Sequence, residues 1–307
     1  MTASFNPYRV LTEAERESHF AACRAFLRER EGTPDVATRT LSLREARMRE
    51  YEENPLIWEG ACDVAAFGRA FAGGDRTTPV DARTEFALAA AKSNEGEAFG
   101  VDMELRRYER KGLYRGLRAP DVLVHQYMQE AYHCRLLVEL CRTCGIDFRP
   151  RAPALANRIL ISIMGLVPAS VKWIPGMAGE IVGAAVFGVL HSKTSLFRER
   201  PEIEARLRSL LHDIWLDESI HISYLRAQNG RIGLAVVRAL FPLVARVLLA
   251  DMPPLRNLGI TAEGLVEWIR NGVPIPDEVA WLEGSPATES SDRDEETPVE
   301  VEPSLVA

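Results

Sequence analysis

The sequence predicts an all-α fold, on three observations. Aliphatic and aromatic residues recur at helical intervals through most of the chain, and proline and glycine fall between those segments. Neither an alternation of strands and helices nor an internal repeat is present. With 307 residues, of which 47% are hydrophobic and 26% charged, the chain can bury a sizeable core.

Start and stop signals divide the chain into helical segments. Thr12 is a candidate N-cap, and Gly32-Thr33-Pro34 ends the first helix. Pro120 and Pro201 open two later helices, and Asn229-Gly230 stops the second of them. The predicted segments are 12–31, 41–53, 79–117, 120–145, 151–164, 176–196, 201–227 and 231–250, followed by two short helices.

The segments differ in the burial expected of them. Segment 41–53 is highly charged and is expected to be solvated. Segment 176–196 is rich in glycine and alanine and is expected to be closely packed and buried, after a turn bracketed by Pro168 and Pro175. Segment 231–250 is amphipathic, which suits either a dimer surface or an outer helix over the core.

The C-terminal residues have a different composition. Residues 285–307 contain seven acidic residues and one arginine, so they carry −6 of the net charge of −7. We predict a single helical domain over residues 1–283 and an acidic disordered tail over 284–307. The rest of the chain is nearly neutral, which predicts neither nucleic-acid binding nor electrostatic attachment to a membrane.

Cysteine usage and hydropathy favour a cytoplasmic location. The five cysteines, at 23, 62, 134, 141 and 144, have no disulfide-framework spacing. The N-terminus lacks the apolar core of a signal peptide. The most apolar run, 232–250, is interrupted by Arg238 and Arg246, so no membrane-spanning segment is predicted.

Two Glu-x-x-His tetrads carry the functional signal. They are Glu130-x-x-His133 and Glu218-x-x-His221, in two long helical segments. This spacing puts a carboxylate and an imidazole about 60° apart on one helix face. A four-helix bundle that adds one inward glutamate from each of two other helices has the ligand set of a di-iron carboxylate site.

Glu180 is the first candidate for an additional glutamate. No other Asp, Glu, Lys or Arg lies between Lys172 and Lys193. Burying a lone carboxylate in an apolar helix is costly unless a cation or hydrogen bonds compensate its charge. Glu180 is therefore interpreted as a metal ligand.

Glu95 is the second candidate, with Glu97 as the alternative. On a helix Glu95 shares its face with Leu88, Ala91 and other apolar residues, whereas Glu97 lines up with more polar positions. We therefore expect Glu95 to be the metal ligand and Glu97 to be a solvated acid.

Other residues are candidates for supporting roles. Asp217, next to Glu218, could accept a hydrogen bond from a ligand histidine, and Gln129 stands at the equivalent position before Glu130. His191 lies on the same face as Glu180 but roughly 16 Å further along the helix. It is therefore expected to be a core or second-sphere histidine and is the less favoured ligand.

These motifs resemble the ferritin-like di-iron oxygenases, in particular the p-aminobenzoate N-oxygenase family. The resemblance covers about residues 80–230 and implies a ferritin-like four-helix bundle core with additional N- and C-terminal helices. It implies two iron ions, with manganese as an alternative, and O2 as co-substrate. The matching residues, in order, are Glu95, Glu130, His133, Glu180, Asp217, Glu218 and His221.

The expected function is O2-dependent oxidation of a small organic substrate in a biosynthetic pathway, with an external electron donor or reductase. The N-oxygenases carry one more histidine, a turn before the last glutamate, where this chain has Ile214. Amine N-oxygenation and C–H hydroxylation are therefore both possible reactions. A homodimer is a possible oligomeric state. The alternatives are a ferritin-like iron-binding or ferroxidase protein, a metal-dependent hydrolase, and a purely structural bundle.

Overall fold

The protein is mostly helical, which confirms the predicted all-α class. The computed structural model describes residues 3–35, 38, 40–73, 80–108, 118–166, 169–250, 252–270 and 272–283. Its α-helices are α1 (Glu13–Glu31), α2 (Ser42–Glu53), α3 (Val64–Phe71), α4 (Ala82–Tyr108), α5 (Pro120–Thr143), α6 (Leu155–Leu166), α7 (Ala169–Lys193), α8 (Pro201–Gln228), α9 (Arg231–Ala250), α10 (Pro253–Asn257) and α11 (Ala262–Arg270). Two 3-10 helices, Thr194–Phe197 and Asp277–Glu283, complete the helical elements of the described chain. The predicted acidic tail, 284–307, lies outside the described residues.

Four short strands form two small antiparallel sheets. Strand β1 (Ala3–Phe5) pairs with β4 (Val273–Ile275), so the two ends of the described chain meet. Strand β2 (Pro34–Asp35) pairs with β3 (Thr40–Leu41) between α1 and α2. Each strand pair connects parts of the chain that flank the helices, and neither pair forms a separate sheet layer in the fold.

Four long helices form the centre of the fold. Helix α4 packs against α5, α5 against α8, and α8 against α7. In α8 every residue from Ile214 to Ala227 is buried, so this stretch is enclosed on all sides. Helices α1 and α2 cover the α5–α8 side, and α9 packs against α7. A polar residue in the enclosed stretch of α8 therefore has to find its partners inside the protein.

Local signals predicted most helix ends correctly. Thr12 caps α1 through a capping box, because its hydroxyl accepts from the Glu15 amide and the Glu15 carboxylate accepts from the Thr12 amide. Helix α8 starts at Pro201 as predicted, and α9 spans the predicted Arg231–Ala250. These ends depend on residues adjacent in sequence, which is why sequence patterns detect them.

The predicted turn between Pro168 and Pro175 is wrong. Helix α7 begins at Ala169 and continues through Pro175. A proline removes one backbone hydrogen bond but does not forbid a helix that tertiary packing supports. Met177, Ala178 and Ile181, just beyond the proline, are fully buried and supply that packing.

Two described helices are long and apolar enough to cross a membrane by length and composition alone. The first, Trp173–Phe197, includes most of α7 and is largely buried in the core. The second, Arg231–Ala250, is α9, which exposes Ile232 and Leu243. The expectation that no membrane is involved stays a prediction.

Candidate metal centre

The four central helices bring six acidic and histidine side chains together at one place. We call them the carboxylate cluster: Glu97 from α4, Glu130 and His133 from α5, Glu180 from α7, and Glu218 and His221 from α8. They form two overlapping groups, within each of which one ligand atom per residue lies within 4.8 Å of the others. One group is Glu97, Glu130, His133 and Glu218, and the other is Glu130, Glu180, Glu218 and His221.

Glu130 and Glu218 differ from the other members of the cluster because the two groups share them. Both belong to each group, whereas every other member belongs to one group only. Carboxylates have two oxygens and can contact two metal ions at once. The arrangement therefore has room for two adjacent metal ions with two shared carboxylates.

Both cluster histidines direct Nδ1 toward the carboxylates. His133 Nδ1 lies 3.2 Å from Glu130 Oε2 and 3.5 Å from Glu218 Oε1. His221 Nδ1 lies 2.9 Å from Glu130 Oε1 and 3.4 Å from Glu180 Oε2. The two rings stack with their centroids 5.8 Å apart. The cluster therefore has two nitrogen donors, one in each group.

The outer nitrogens of the same histidines form hydrogen bonds that cross between helices. His133 Nε2 on α5 donates to Asp217 Oδ2 on α8 at 3.1 Å, and His221 Nε2 on α8 donates to Gln129 Oε1 on α5 at 3.2 Å. A proton held at Nε2 leaves the Nδ1 lone pair free for a metal ion. Asp217 thus occupies the place that the sequence predicts for it, and Gln129 is its neutral counterpart.

Two buried atoms in the cluster fit the presence of a metal ion. Within the described residues, Glu218 Oε2 has no hydrogen-bond partner, and His133 Nδ1 has ion-pair contacts with Glu130 and Glu218 but no hydrogen bond. A buried polar atom without a partner is costly unless a cation or water satisfies it. The four carboxylates also carry a formal charge of −4 if all are ionised, which two divalent cations would neutralise. The donor set therefore fits two metal ions.

Gly183 on α7 leaves space for one of the shared carboxylates. A Cβ atom at this position would lie 3.0 Å from Glu218 Oε2 and 3.2 Å from its Cδ. Real Cβ contacts are rarely this short, so any side chain here would displace the Glu218 carboxylate. The glycine thus allows α7 to approach the cluster closely.

The pKa values in the cluster reflect its crowded negative charge. Burial, followed by repulsion from Glu180 and Glu130, raises the pKa of Glu218 well above its usual range. Burial and the neighbouring Glu130 raise the pKa of Glu97 in the same way. Burial alone would lower the pKa of His221, but the Glu130 and Glu180 carboxylates together outweigh burial and raise that pKa to about 10. Groups this close need protons or metal ions between them.

Asp217 also belongs to a buried ion-pair network with arginines from α1 and α2. Arg44 Nη2 contacts Asp217 Oδ2 at 2.5 Å and Glu31 Oε1 at 2.8 Å, and all three side chains are fully buried. Arg30 Nη1 lies 2.7 Å from Asp217 Oδ1. Burial would raise the pKa of Asp217, but Arg44 and Arg30 lower it, so Asp217 remains a carboxylate that can accept from His133.

Most of segment 41–53 is exposed or half-buried, as expected, but Arg44 departs from this pattern. Arg44 lies in that segment and is completely buried. An arginine is rarely buried unless carboxylates surround it, and here the carboxylates are Glu31 from α1 with Asp213 and Asp217 from α8. The sequence did not predict this role of Arg44 and Glu31. Asp217 lies 173 residues from Arg44 and Glu31 lies 13 residues from it, and no local spacing relates these residues.

The structure places Glu97, not Glu95, in the cluster, so the choice between them is corrected. Two residues along a helix differ by about 200°, and these two carboxylates therefore face opposite directions. Glu95 is 2% exposed and pairs with Lys92 Nζ at 2.7 Å, with Arg151 Nε at 3.9 Å. Neither glutamate is thus the solvated acid that was expected.

The reason for the error lies in the preceding turns of α4. All residues from 84 to 91 are buried, so this part of the helix is enclosed on every side. The more apolar face of α4 is therefore not necessarily the face that is directed toward the cluster. His191, the other alternative, lies outside the cluster against His212 and Trp215, and Ile214 is fully buried.

A cavity of about 290 Å³ adjoins the cluster. Five cluster residues form part of its wall, and apolar side chains from α5, α7 and α9 form much of the rest. Gly96, Gly100, Gly176 and Gly179 also line it, and a Cβ atom at any of them would meet nothing within 4 Å. The glycines of segment 176–196 were expected to permit close packing, but Gly176 and Gly179 leave open space instead.

Comparison with known proteins assigns the chain to no family. No family model, curated protein or solved structure matches it. The function is therefore inferred from the carboxylate cluster and its cavity.

Proposed function

We propose that this protein is a di-iron, O2-dependent oxygenase that oxidises a small organic substrate. The observation that carries this proposal is the pair of overlapping carboxylate–histidine groups beside an apolar cavity. Glutamates from two helices and Glu-x-x-His pairs from two others are the arrangement of ferritin-like di-iron proteins. We infer that α4, α5, α7 and α8 form such a bundle.

The donor atoms favour iron. Glu130 and Glu218 would bridge the two ions, Glu97 and His133 would complete the first site, and Glu180 and His221 the second. Carboxylate oxygens suit iron and manganese, and a set with four glutamates is richer in oxygen than typical zinc sites. Manganese stays an alternative for the same reason, and a zinc or manganese hydrolase is the less favoured reading.

A reduced iron pair, when bound, would supply the activation of O2. The protein's own residues would prepare the site for it. Asp217 and Gln129 hold both histidines with Nδ1 facing inward, and the Arg44 network keeps Asp217 charged. The apolar wall of the cavity would exclude water and hold the substrate beside the cluster.

An external electron donor follows from the stoichiometry of monooxygenation. One oxygen atom of O2 enters the substrate and the other is reduced to water, which takes two protons and two electrons that the substrate does not supply. We therefore propose a reductase or small electron carrier as partner. Amine N-oxygenation and C–H hydroxylation both remain within this proposal.

Iron storage is the second candidate, because a ferroxidase centre would use similar ligands. The cavity favours the oxygenase. Its wall is largely apolar, with Leu123, Trp173 and Phe187 among its residues, whereas a route for iron ions would be lined by polar or charged groups. A largely apolar space for an organic molecule beside the cluster is what an oxygenase requires.

Oxygen consumption separates these candidates. When iron-loaded, anaerobically reduced protein is mixed with O2, we expect uptake of about one O2 per chain without further reductant, and repeated uptake when a chemical reductant is present. Zinc-loaded protein is the matched control and should consume none. Uptake that continues with added Fe(II), with well over two iron atoms retained per chain, would favour storage. Absence of uptake would contradict both.

A substitution at Gly183 should impair metal binding without unfolding the protein. In Gly183→Ala the new Cβ would displace the Glu218 carboxylate, and we expect roughly tenfold weaker metal binding. Gly179→Ala is the matched control, because its Cβ would meet open space on the same helix. Equilibrium metal titration with a competing chelator measures both. Equal affinities of the two variants would contradict the proposed role of Glu218.

A further inference from the structure

The side-chain amide of Gln126, on the wall of the cavity beside the cluster, has a donor without an acceptor among the described residues. Gln126 lies on α5 four residues before Glu130, one helical turn away on the same side. It is 4% exposed and lines the cavity. Within the described residues, its buried Nε2 has no hydrogen-bond partner. A buried amide donor without an acceptor is unfavourable, so a partner inside the cavity is expected.

The charges around the cavity indicate what kind of acceptor this is. Lys92 is the one lysine or arginine among the described residues that line the cavity. Its ammonium pairs with Glu95 at 2.7 Å, and that carboxylate is almost fully buried. The charge of Lys92 is therefore already compensated, and no other lysine or arginine among the described residues lines the cavity to offset an anionic substrate.

The rest of the wall selects for an apolar body. Leu123 and Tyr127 flank Gln126 on α5, and Trp173, Val186 and Phe187 come from α7. The volume of about 290 Å³ is at the lower end of small-molecule pockets. A molecule that filled it would place its apolar surface on these side chains and its single polar group on Gln126.

We propose that Gln126 anchors the substrate by donating a hydrogen bond from its side-chain amide to a neutral, carbonyl-type oxygen of a small, mostly apolar molecule. This assignment of a substrate class rests on the proposed function. Because Gln126 is one turn from Glu130, the anchored molecule would lie against the cluster with a fixed orientation. Gln126 is thus a binding and specificity-determining residue and not a metal ligand.

A matched pair of probes tests this proposal. Acetophenone and α-methylstyrene have almost the same shape, but only the first has a carbonyl oxygen. We expect the iron-loaded protein, kept anaerobic, to bind acetophenone about tenfold more tightly than α-methylstyrene in calorimetric titrations. In Gln126→Leu, which keeps the approximate size of the side chain without the amide, we expect the two affinities to become equal.

Several outcomes would overturn the assignment. They are equal affinities in the unsubstituted protein, an unchanged preference in Gln126→Leu, or no binding of either probe. Gln126→Met, which is also apolar but has a more flexible side chain, repeats the comparison if Gln126→Leu does not fold, as judged by thermal unfolding. Binding requires no turnover, so failure of this preference and failure of O2 uptake are separate results.

Discussion

Glu218→Ala is expected to remove both metal ions, from about two per chain to about none. Glu218 belongs to both groups of the carboxylate cluster, so its loss takes a ligand from each ion. Glu130→Ala should have the same effect for the same reason. In Glu180→Ala, by contrast, one ligand group stays complete, and about one ion per chain should remain. Metal analysis after iron loading and desalting measures these ratios.

Glu95→Gln is the control for these substitutions. It is nearly isosteric, and Glu95 is a buried glutamate on α4 that lies outside the cluster. It should retain both ions, whereas Glu97→Ala, on the opposite side of the same helix, should lose about one. If Glu95→Gln lost metal and Glu97→Ala did not, the assignment of Glu97 to the cluster would be wrong. If Glu218→Ala kept both ions, the shared-carboxylate arrangement would be wrong.

Arg44→Met should lower the free energy of unfolding by about 3–5 kcal/mol, because it removes one partner from a fully buried ion-pair network. Glu31 and Asp217 would then remain buried with part of their charge uncompensated. Urea denaturation of the metal-free protein measures the effect separately from metal binding. We also expect weaker metal binding, because Asp217 would no longer be held as an acceptor for His133.

Arg49→Ala is the matched control on the same helix. Arg49 is 68% exposed, and its ion pair within the described part of the chain is an i,i+4 pair with Glu45 at 3.7 Å. Such surface substitutions change stability by about 0.5 kcal/mol or less. If Arg44→Met were as mild as Arg49→Ala, the network would not support the fold in the way its burial implies.

The helices could be predicted from sequence because their signals are local. The Thr12 capping box, Pro201 at the start of α8 and Asn229 after its end each act within one helical turn. Pro175 misled the prediction, because the packing of α7 overrides the local preference of proline. The short strand pairs were not predicted, since β1 and β4 are joined by contacts between opposite ends of the chain.

The candidate site could be predicted where spacing and composition point to it. The two Glu-x-x-His tetrads place their side chains on one helix face by geometry alone, and the isolated carboxylate of Glu180 identified a third helix. Glu97 was predicted only as the alternative to Glu95, because α4 is buried on all sides in the turns before it and the more apolar face does not show which side meets the cluster. The i,i+4 spacing of Gln126 to Glu130 was a signal that could have been used.

The partners around the cluster could not be predicted in the same way. Arg44 reaches Asp217 across 173 residues of sequence, and His221 reaches Gln129 across 92. Such pairs form only when the helices pack together. From the sequence alone, a charged residue on a short helix such as α2 is expected to be exposed to solvent. The support for the cluster is therefore a property of the tertiary structure.

We propose that the carboxylate cluster binds two metal ions that share Glu130 and Glu218. Crystals of the iron-loaded protein, measured with X-rays above and below the iron absorption edge, test it most directly. We expect two anomalous peaks within the cluster, one beside His133 and one beside His221. A cluster without an iron peak after loading, or with iron bound only at another place in the protein, would contradict it.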